Sequence, residues 1–595
     1  MPDSKDKPPC TDLPRWRLDD LFPGPESPDL AAALTAAASG AKALADRYAG
    51  RLGGLSAAGL ASAIGALQAV EEGLGRISAY ADLTFAGDVS DAATGRLVQR
   101  LREQVSDIAA GLVFFRLEIN RLDDAVFTRM VADPALARWR PWLDQVRTFR
   151  PHSLADDLER LLHDKQVTGS SAWARLFDET MADMRVVVDG ESLPETEVLE
   201  RLSDTAPERR QAAGQAFAGA LRERRRLFAL ITNTLAKDKA IEDGWRHYGR
   251  PVSPRNLANQ VEDPVVDALV SAVTGSYEAL SHRYYRLKAT LFGVDRLAWW
   301  DRNAPLPGGE RQIPWPEARR FVLEAYGAFA PELADIAGRF FDGGWIDAQV
   351  RAGKAGGAFA HPTVPAVHPY VLLSYQGKPR SLMTLAHELG HGCHQVLAAG
   401  QGYFLSQTPL TLAETASVFG EMLVFRRLLA AEDDPARRRV LLAGKIEDML
   451  NTVVRQIAFH QFETGLHERR RSGELTADDI DALWMETQSE SLGPAIRLDD
   501  DYRTMWAYIP HFLHTPFYVY AYAFGDCLVN ALYQRYQDAP DGFAAKYLDL
   551  LRAGGSMRHG ELLAPFGLDA ADPAFWRGGL GAVSRLIDEF ATVVD

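Results

Sequence analysis

Apolar residues recur at three- and four-residue spacing along most of this 595-residue chain, the pattern of helices that each bury one face. Between residues 31 and 135 the pattern is helical throughout, with alanine-rich segments over 30–49 and 55–79. Pro134 and Pro141 punctuate it. Residues 142–185 resume it, with an amphipathic piece from Leu154. No period of fixed length recurs, so a solenoid is not predicted. Residues 205–245 predict one or two long helices, in which Arg222-Glu-Arg-Arg-Arg226 reads as a solvated face. Further helices are predicted over 262–293, 315–341 and 433–495. Trp299 and Trp300 fall in a loop and read as a plug between lobes. Strand-like runs are few: residues 185–191 predict a small hairpin, and 369–375 a strand. The fold class is therefore mainly α.

One predicted helix carries the chemistry. Ser381-Leu-Met-Thr-Leu-Ala-His387-Glu388-Leu-Gly-His391-Gly-Cys-His394 contains His-Glu-x-x-His. Histidines four apart share a helix face, one turn above the other, and can bite a single zinc ion. The glutamate between them lies beside the metal, as a base for a bound water whose pKa zinc lowers to about 7. Leu382, Met383, Leu385 and Ala386 mark the helix as buried, where histidine is uncommon without a role. Gly390 and Gly392 each cost about 1 kcal/mol relative to alanine, which points to close approach by another backbone or a substrate.

A catalytic zinc site wants three protein ligands. His394 lies two turns, about 10 Å, along the helix from His387, beyond the reach of a zinc–nitrogen bond of about 2 Å. Downstream, Leu410-Thr-Leu-Ala-Glu414-Thr-Ala-Ser-Val-Phe-Gly-Glu421 reads as a second apolar helix, where an acid is expensive unless paired or metal-bound. Glu414 is the expected third ligand, and Glu421 the group that orients a ligand histidine. The competing reading of Glu414 is a capping box, Thr411-x-x-Glu414. The expected cofactor is one zinc ion on His387, His391 and Glu414, although ligand type separates zinc poorly from cobalt or manganese.

A second chemical centre is expected over 506–525. Thr515-Pro516 reads as a helix N-cap followed by proline at the first helical position. Tyr518 and Tyr522 then share a face, Tyr520 points into the core, and His511 lies on the connection before the helix. His460 and His467 complete no ligand pattern and read as ordinary helix residues. Gly353-Lys-Ala-Gly-Gly-Ala-Phe359 is not a phosphate loop, and reads either as a plain turn or as a mobile loop admitting a peptide backbone.

The net charge of −15 and pI near 5.5 disfavour nucleic-acid or anionic-membrane partners. Residues 1–9 are polar, with no secretory signal behind them, and no run of 18 or more apolar residues occurs. Three sparse cysteines, Cys10, Cys393 and Cys527, point to a reducing compartment, with Cys393 a buried thiol rather than a ligand. A cytoplasmic protein is expected.

His387-Glu-Leu-Gly-His391, Ala413-Glu414-Thr-Ala-Ser417, the 353–359 segment and His511-Phe-Leu-His-Thr-Pro-Phe-Tyr518-Val-Tyr520-Ala-Tyr522-Ala-Phe-Gly525 together resemble the M3 family of zinc oligopeptidases, and most closely its oligoendopeptidase F branch. The resemblance covers residues 200–590 well and the N-terminal part more loosely. It implies a two-lobed helical zincin metallopeptidase with a deep substrate channel and a small β-sheet beside the metal helix. Residues 1–200 would form an N-terminal helical domain walling the channel, and 201–595 the catalytic domain. It implies internal cleavage of oligopeptides with Glu388 as general base, and His511, Tyr518 and Tyr522 as donors to the developing oxyanion. More distant members carry a further tyrosine where Gly525 stands here, and spacing leaves His511 and His514 as alternatives. In such peptidases the 369–375 strand pairs with extended substrate. A related helical zinc carboxypeptidase and a non-catalytic peptide-binding scaffold are the two other readings. Glu388 argues against the second, since a structural metal needs no base.

Overall fold

The computed structural model describes residues 13–309 and 311–594. Cys10 and the polar stretch 1–9 lie outside the described residues, while Cys393 and Cys527 are both buried and free of disulfides. The architecture is mainly helical, with seven short strands among the described residues: β1 (Val186–Val188), β2 (Glu191–Leu193), β3 (Leu297–Ala298), β4 (Ile346–Asp347), β5 (Phe359–His361), β6 (Tyr370–Leu372) and β7 (Ile496–Arg497). β1 and β2 form the predicted hairpin, turning through Asp189 and Gly190, both at positive φ. β3 pairs in parallel with β7, and β4, β6 and β5 form a three-stranded sheet in that order.

The chain groups into two units, each assembled from three stretches. Unit 1 comprises Met1–Arg150, Glu310–Ala431 and Ala539–Gly567, and unit 2 comprises Pro151–Gly309, Glu432–Asp538 and Leu568–Asp595. Position 200 falls inside the second unit.

In unit 1, the helix Pro28–Tyr48 starts where Ser27 Oγ accepts the Leu30 N–H and Pro28 takes the first helical position. Ser56 caps the next helix, Ala57–Gly87, in the same way. Leu60, Ile64 and Leu67 repeat on one face of it and pack with Phe115, Ile119 and Trp142. Each such side chain stabilises the fold by about 1.5–3 kcal/mol through burial. The helices Trp315–Phe329 and Pro331–Gly343 then lead into the sheet and the metal helix, Pro379–Ala398.

The sheet corrects one expectation. β6, the strand assigned to substrate pairing, lies between β4 and β5, and Tyr370, Val371 and Leu372 are fully buried. Both of its edges are already bonded, so no peptide can add to it; β4 and β5 are the edge strands. The 353–359 segment is also anchored. The Lys354 ammonium donates to the carbonyl oxygens of Asp347, Gln349 and Leu373 at 2.7–3.0 Å and pairs with the Asp347 carboxylate at 2.8 Å. The Ala355 N–H donates to Ala86 O.

In unit 2, residues 205–245 give one helix, Pro207–Trp245, of 39 residues, about 58 Å long at 1.5 Å per residue. Its arginine cluster is not simply solvated: Arg222 pairs with Asp501, and Arg225 with Asp478 and Asp481. Trp299 and Trp300 are buried within this unit, and a Cβ on Gly214 would lie 3.0 Å from the Trp299 ring. They pack against the long helix rather than plugging a junction. No helix among the described residues is long and apolar enough to cross a membrane.

Candidate active site

The metal helix meets the helix Thr415–Ala430 at Gly390. A Cβ there would lie 2.5 Å from Ala416 O and 2.6 Å from Ser417 Cα, so only glycine permits the crossing. Gly392 leaves room for the Phe340 ring, to which its Cβ would approach within 2.5 Å. Gly390 therefore does what the sequence suggested, admitting another backbone, whereas Gly392 makes room for an aromatic ring rather than for backbone or substrate. Each helix is tied by a tyrosine: Tyr326 OH donates to Ala386 O on the metal helix, and Tyr547 OH to Thr415 O on its neighbour, each at 2.6 Å.

This crossing brings three donors to one point. Glu414 Oε2 lies 3.3 Å from His387 Nε2 and 3.4 Å from His391 Nε2. The ligand atoms of the three residues all fall within 4.8 Å of one another. Tetrahedral zinc with bonds near 2.05 Å has ligand–ligand edges of about 3.3 Å, so the arrangement fits such an ion. Glu414 does not sit inside a continuous helix; it joins the short helix Leu410–Ala413 to Thr415–Ala430. Thr411 lies within the short helix, whose N-cap is Pro409, so the capping-box alternative is not formed. Two neighbours support the cluster. Glu421 Oε2 lies 3.2 Å from His387 Nδ1, and Ser417 Oγ donates to Glu414 Oε2 at 2.6 Å. Ser417 escaped the sequence reading, although its place three residues after Glu414 puts it on the same helical face.

The electrostatics call for positive charge at that point. Burial alone would lower the His387 pKa, but Glu414 and Glu421 carry it up to about 10. Burial opposes ionisation of Glu414, yet the two imidazoles hold its carboxyl well below the usual range. Glu388, 7% exposed, is pushed up by burial, with His387, His391 and a hydrogen bond from the Ala360 backbone opposing the rise. The Ala360 carbonyl accepts from Gln395 Nε2 at 3.2 Å, so β5 is tied to the metal helix beside Glu388. His394 is buried, its Nε2 has no partner, and it stays outside the ligand cluster. A cavity of about 460 Å³ within unit 1 includes His391, His394 and Gln395 in its wall.

The other candidate residues assemble in unit 2. His511 begins the short helix His511–His514, and the next helix is Tyr520–Asp538. Thr515 and Pro516 therefore belong to the connection, not to a helix start. The reason is Phe517, whose φ of +60° cannot continue a right-handed helix. The three residues still converge: the Tyr518 ring is 5.2 Å from that of Tyr522 and 5.8 Å from that of His511. Tyr522 OH lies 3.5 Å from His511 Nε2. Burial lowers the His511 pKa, with Arg455 and His514 acting in the same direction. His514 turns to Asp178, at 2.8 Å, so the grouping favours His511 of the two alternatives. Tyr520 is fully buried and accepts from Asn259 Nδ2 at 2.8 Å, as a core residue. His460 and His467 are buried on the helix Val454–Ser472, outside the metal-ligand cluster found among the described residues.

A family model for peptidase family M3 matches residues 328–581, the stretch holding both groups, and one for oligopeptidase F matches residues 118–185. The chain belongs to peptidase family M3. It is therefore a metallopeptidase, a hydrolase of peptide bonds. Oligopeptidase PepF of Bacillus subtilis (strain 168) is 24% identical over 571 residues, covering 94% of this chain and 84% of the relative. Group B oligopeptidase PepB of Streptococcus agalactiae serotype III is 25% identical over 485 residues, covering 80% of each. Among solved structures, oligoendopeptidase-F from Enterococcus faecium matches with a TM-score of 0.69 at 23% identity, over 95% of this chain and 98% of that one. A solved chain from Chlamydophila abortus matches with a TM-score of 0.87 at 22% identity, over 97% and 98%. These structural likenesses establish the M3 peptidase's fold.

Proposed function

We propose that this M3 peptidase is a zinc oligoendopeptidase that cuts internal bonds of short unstructured peptides in the cytoplasm. The observation that carries the reading is the convergence of His387 Nε2, His391 Nε2 and Glu414 Oε2, with Glu388 on the same helix. Those three side chains would hold the ion. Zinc bound there would supply a Lewis acid and a water ionising near pH 7. Glu388 accepts the water's proton as its oxygen attacks the scissile carbonyl, then delivers a proton to the leaving amine. Its raised pKa suits both halves of that transfer. Glu421 accepts the Nδ1–H of His387 and so keeps Nε2 as the lone-pair donor. His511, Tyr518 and Tyr522 donate hydrogen bonds to the developing oxyanion. Their mutual proximity and the lowered His511 pKa, which leaves a neutral imidazole, support that role. The oligopeptidase and oligoendopeptidase names of the relatives support the substrate class.

The test is mass spectrometry of products from a defined mixture of short and long unstructured peptides. Internal cuts confined to the shorter peptides are expected. Ladders losing one C-terminal residue at a time would replace the reading with a carboxypeptidase. No cleavage by protein carrying one zinc would leave the non-catalytic scaffold.

A further inference from the structure

We infer that Glu463 is a positioning residue for the His511–Tyr522 group, holding through its buried carboxyl the left-handed turn at Phe517 that sets Tyr518 and Tyr522 against His511. The inference rests on the donor role proposed for those three residues.

Glu463 lies on the helix Val454–Ser472 and is 1% exposed. Burying a carboxyl is unfavourable unless something is gained, and this one is sparsely compensated. Oε1 accepts the Phe517 N–H at 2.9 Å, while Oε2 is buried without a hydrogen-bond partner. Burial pushes its pKa up to about 8, so at neutral pH it is largely a neutral acid rather than half of an ion pair. An apolar side chain would fill the same space without that penalty, so the hydrogen bond to Phe517 is what the acid contributes.

Phe517 is the residue that needs holding. Its φ of +60° is unfavourable for an L-residue with a bulky side chain, and such a conformation persists only where surroundings over-determine it. Two sets of contacts do so. The ring, 1% exposed, packs against His467 at 5.0 Å and His460 at 5.8 Å. The N–H is fixed on Glu463. On the preceding residue, Arg255 Nε donates to Pro516 O at 3.2 Å, and its guanidinium lies 5.9 Å from the centre of the Tyr518 ring. The reversal is thus clamped at residues 516, 517 and 518. Tyr518 follows it directly, and Tyr522 begins to count from the helix that starts two residues later. A shift of the turn would part the two rings from each other and from His511.

The test separates geometry from mere space-filling. E463L fills the volume without an acceptor, and E463Q keeps a carbonyl oxygen in nearly the same place. In the zinc-loaded protein, E463L is expected to lower kcat about 100-fold, the loss expected from a displacement near 1 Å. KM and zinc content should stay within about twofold, and E463Q should stay within about threefold of wild type in kcat. Introduced into Y518F/Y522F, E463L should cost less than about threefold more, because it acts through those rings. Wild-type kcat in E463L, or a loss that simply multiplies with that of Y518F/Y522F, overturns the inference. If E463L does not fold, E463D draws the acceptor back by one methylene. A kcat loss in folded, zinc-loaded E463D supports the inference, and wild-type kcat overturns it. Wild-type kcat in Y518F/Y522F with Glu463 intact would overturn the donor reading and this inference with it. Full activity of E463L beside a crippled Y518F/Y522F overturns this inference alone.

Discussion

The metal cluster and the His511–Tyr522 group are built in opposite ways. In the first, regular backbone does the placing. The α-helical repeat sets His387 one turn from His391, and a glycine-mediated crossing of two helices delivers Glu414. In the second, the helix is interrupted. A left-handed phenylalanine and a buried acid bring together side chains that belong to a four-residue helix, a turn and the start of another helix. Regular backbone converts residue spacing into distance by a fixed rule; a turn held by tertiary contacts has no such rule. The first group should therefore tolerate little change in the ligands and their helices, and the second should be sensitive at residues far from the reacting atoms.

The comparison can be broken at four places, in descending order of effect. Glu388→Gln removes the proposed base but no proposed ligand, so turnover should fall by about 10⁴-fold with zinc retained, measured by kcat and metal analysis; normal turnover would remove Glu388 from the mechanism. Gly390→Ala forces a methyl into the Ala416–Ser417 backbone. It should destabilise unit 1 by about 3 kcal/mol and reduce zinc occupancy, read from thermal unfolding and metal content. An unchanged melting curve would mean that the crossing is not tight. Glu421→Ala frees the Nδ1 side of His387 and should weaken zinc binding 10- to 100-fold in chelator competition, leaving the ligand set intact. If affinity is unchanged, Glu421 does not orient that imidazole.

The smallest effect concerns the turn and depends on pH. Glu463 has a folded pKa of about 8, against an unfolded value near 4.3. Between those values the folded state binds the extra proton, so stability from this group is fully present below the unfolded pKa and is lost as pH rises to about 8. The slope is at most about 1.4 kcal/mol per pH unit. His460 and His467, with folded pKa values of about 4 and about 3, act oppositely. Their contribution is full above the unfolded value near 6.5 and is lost as pH falls below it. Glu463→Gln should therefore become more stable relative to wild type as pH rises from 6.5 to 8, while its acid-side loss persists. A mutant-minus-wild-type difference in melting temperature that is flat over that range would show that Glu463 titrates normally.

The same contrast explains what the amino-acid order revealed. The clustering of His387, His391 and Glu414 was legible because helix periodicity and the expense of a buried acid are local arguments. Glu421 was legible for the same reason. The convergence of Tyr518 with Tyr522 was anticipated through the wrong local structure, since nothing in Thr515-Pro516-Phe517 announces a left-handed phenylalanine. Glu463 was invisible: its partner is 54 residues away, and a lone glutamate on a helix ordinarily faces water. The 369–375 strand was found but misassigned, because a strand's own sequence does not say which neighbours occupy its edges. The helical classification survived every such error, since it rests on hundreds of residues rather than on any one junction.

The hydrogen bond from Tyr547 to Thr415 has a bearing on biosynthesis. All four residues proposed for metal binding and proton transfer leave the ribosome well before Tyr547 does. The helix that carries it, Phe543–Ala553, packs against the metal helix, and its tyrosine reaches the carbonyl adjoining Glu414. A nascent chain that has emerged only as far as residue 500 thus carries the proposed ligands without the tyrosine that bonds the backbone beside Glu414. The backbone next to Glu414 gains this hydrogen bond only once Tyr547 has been added to the chain.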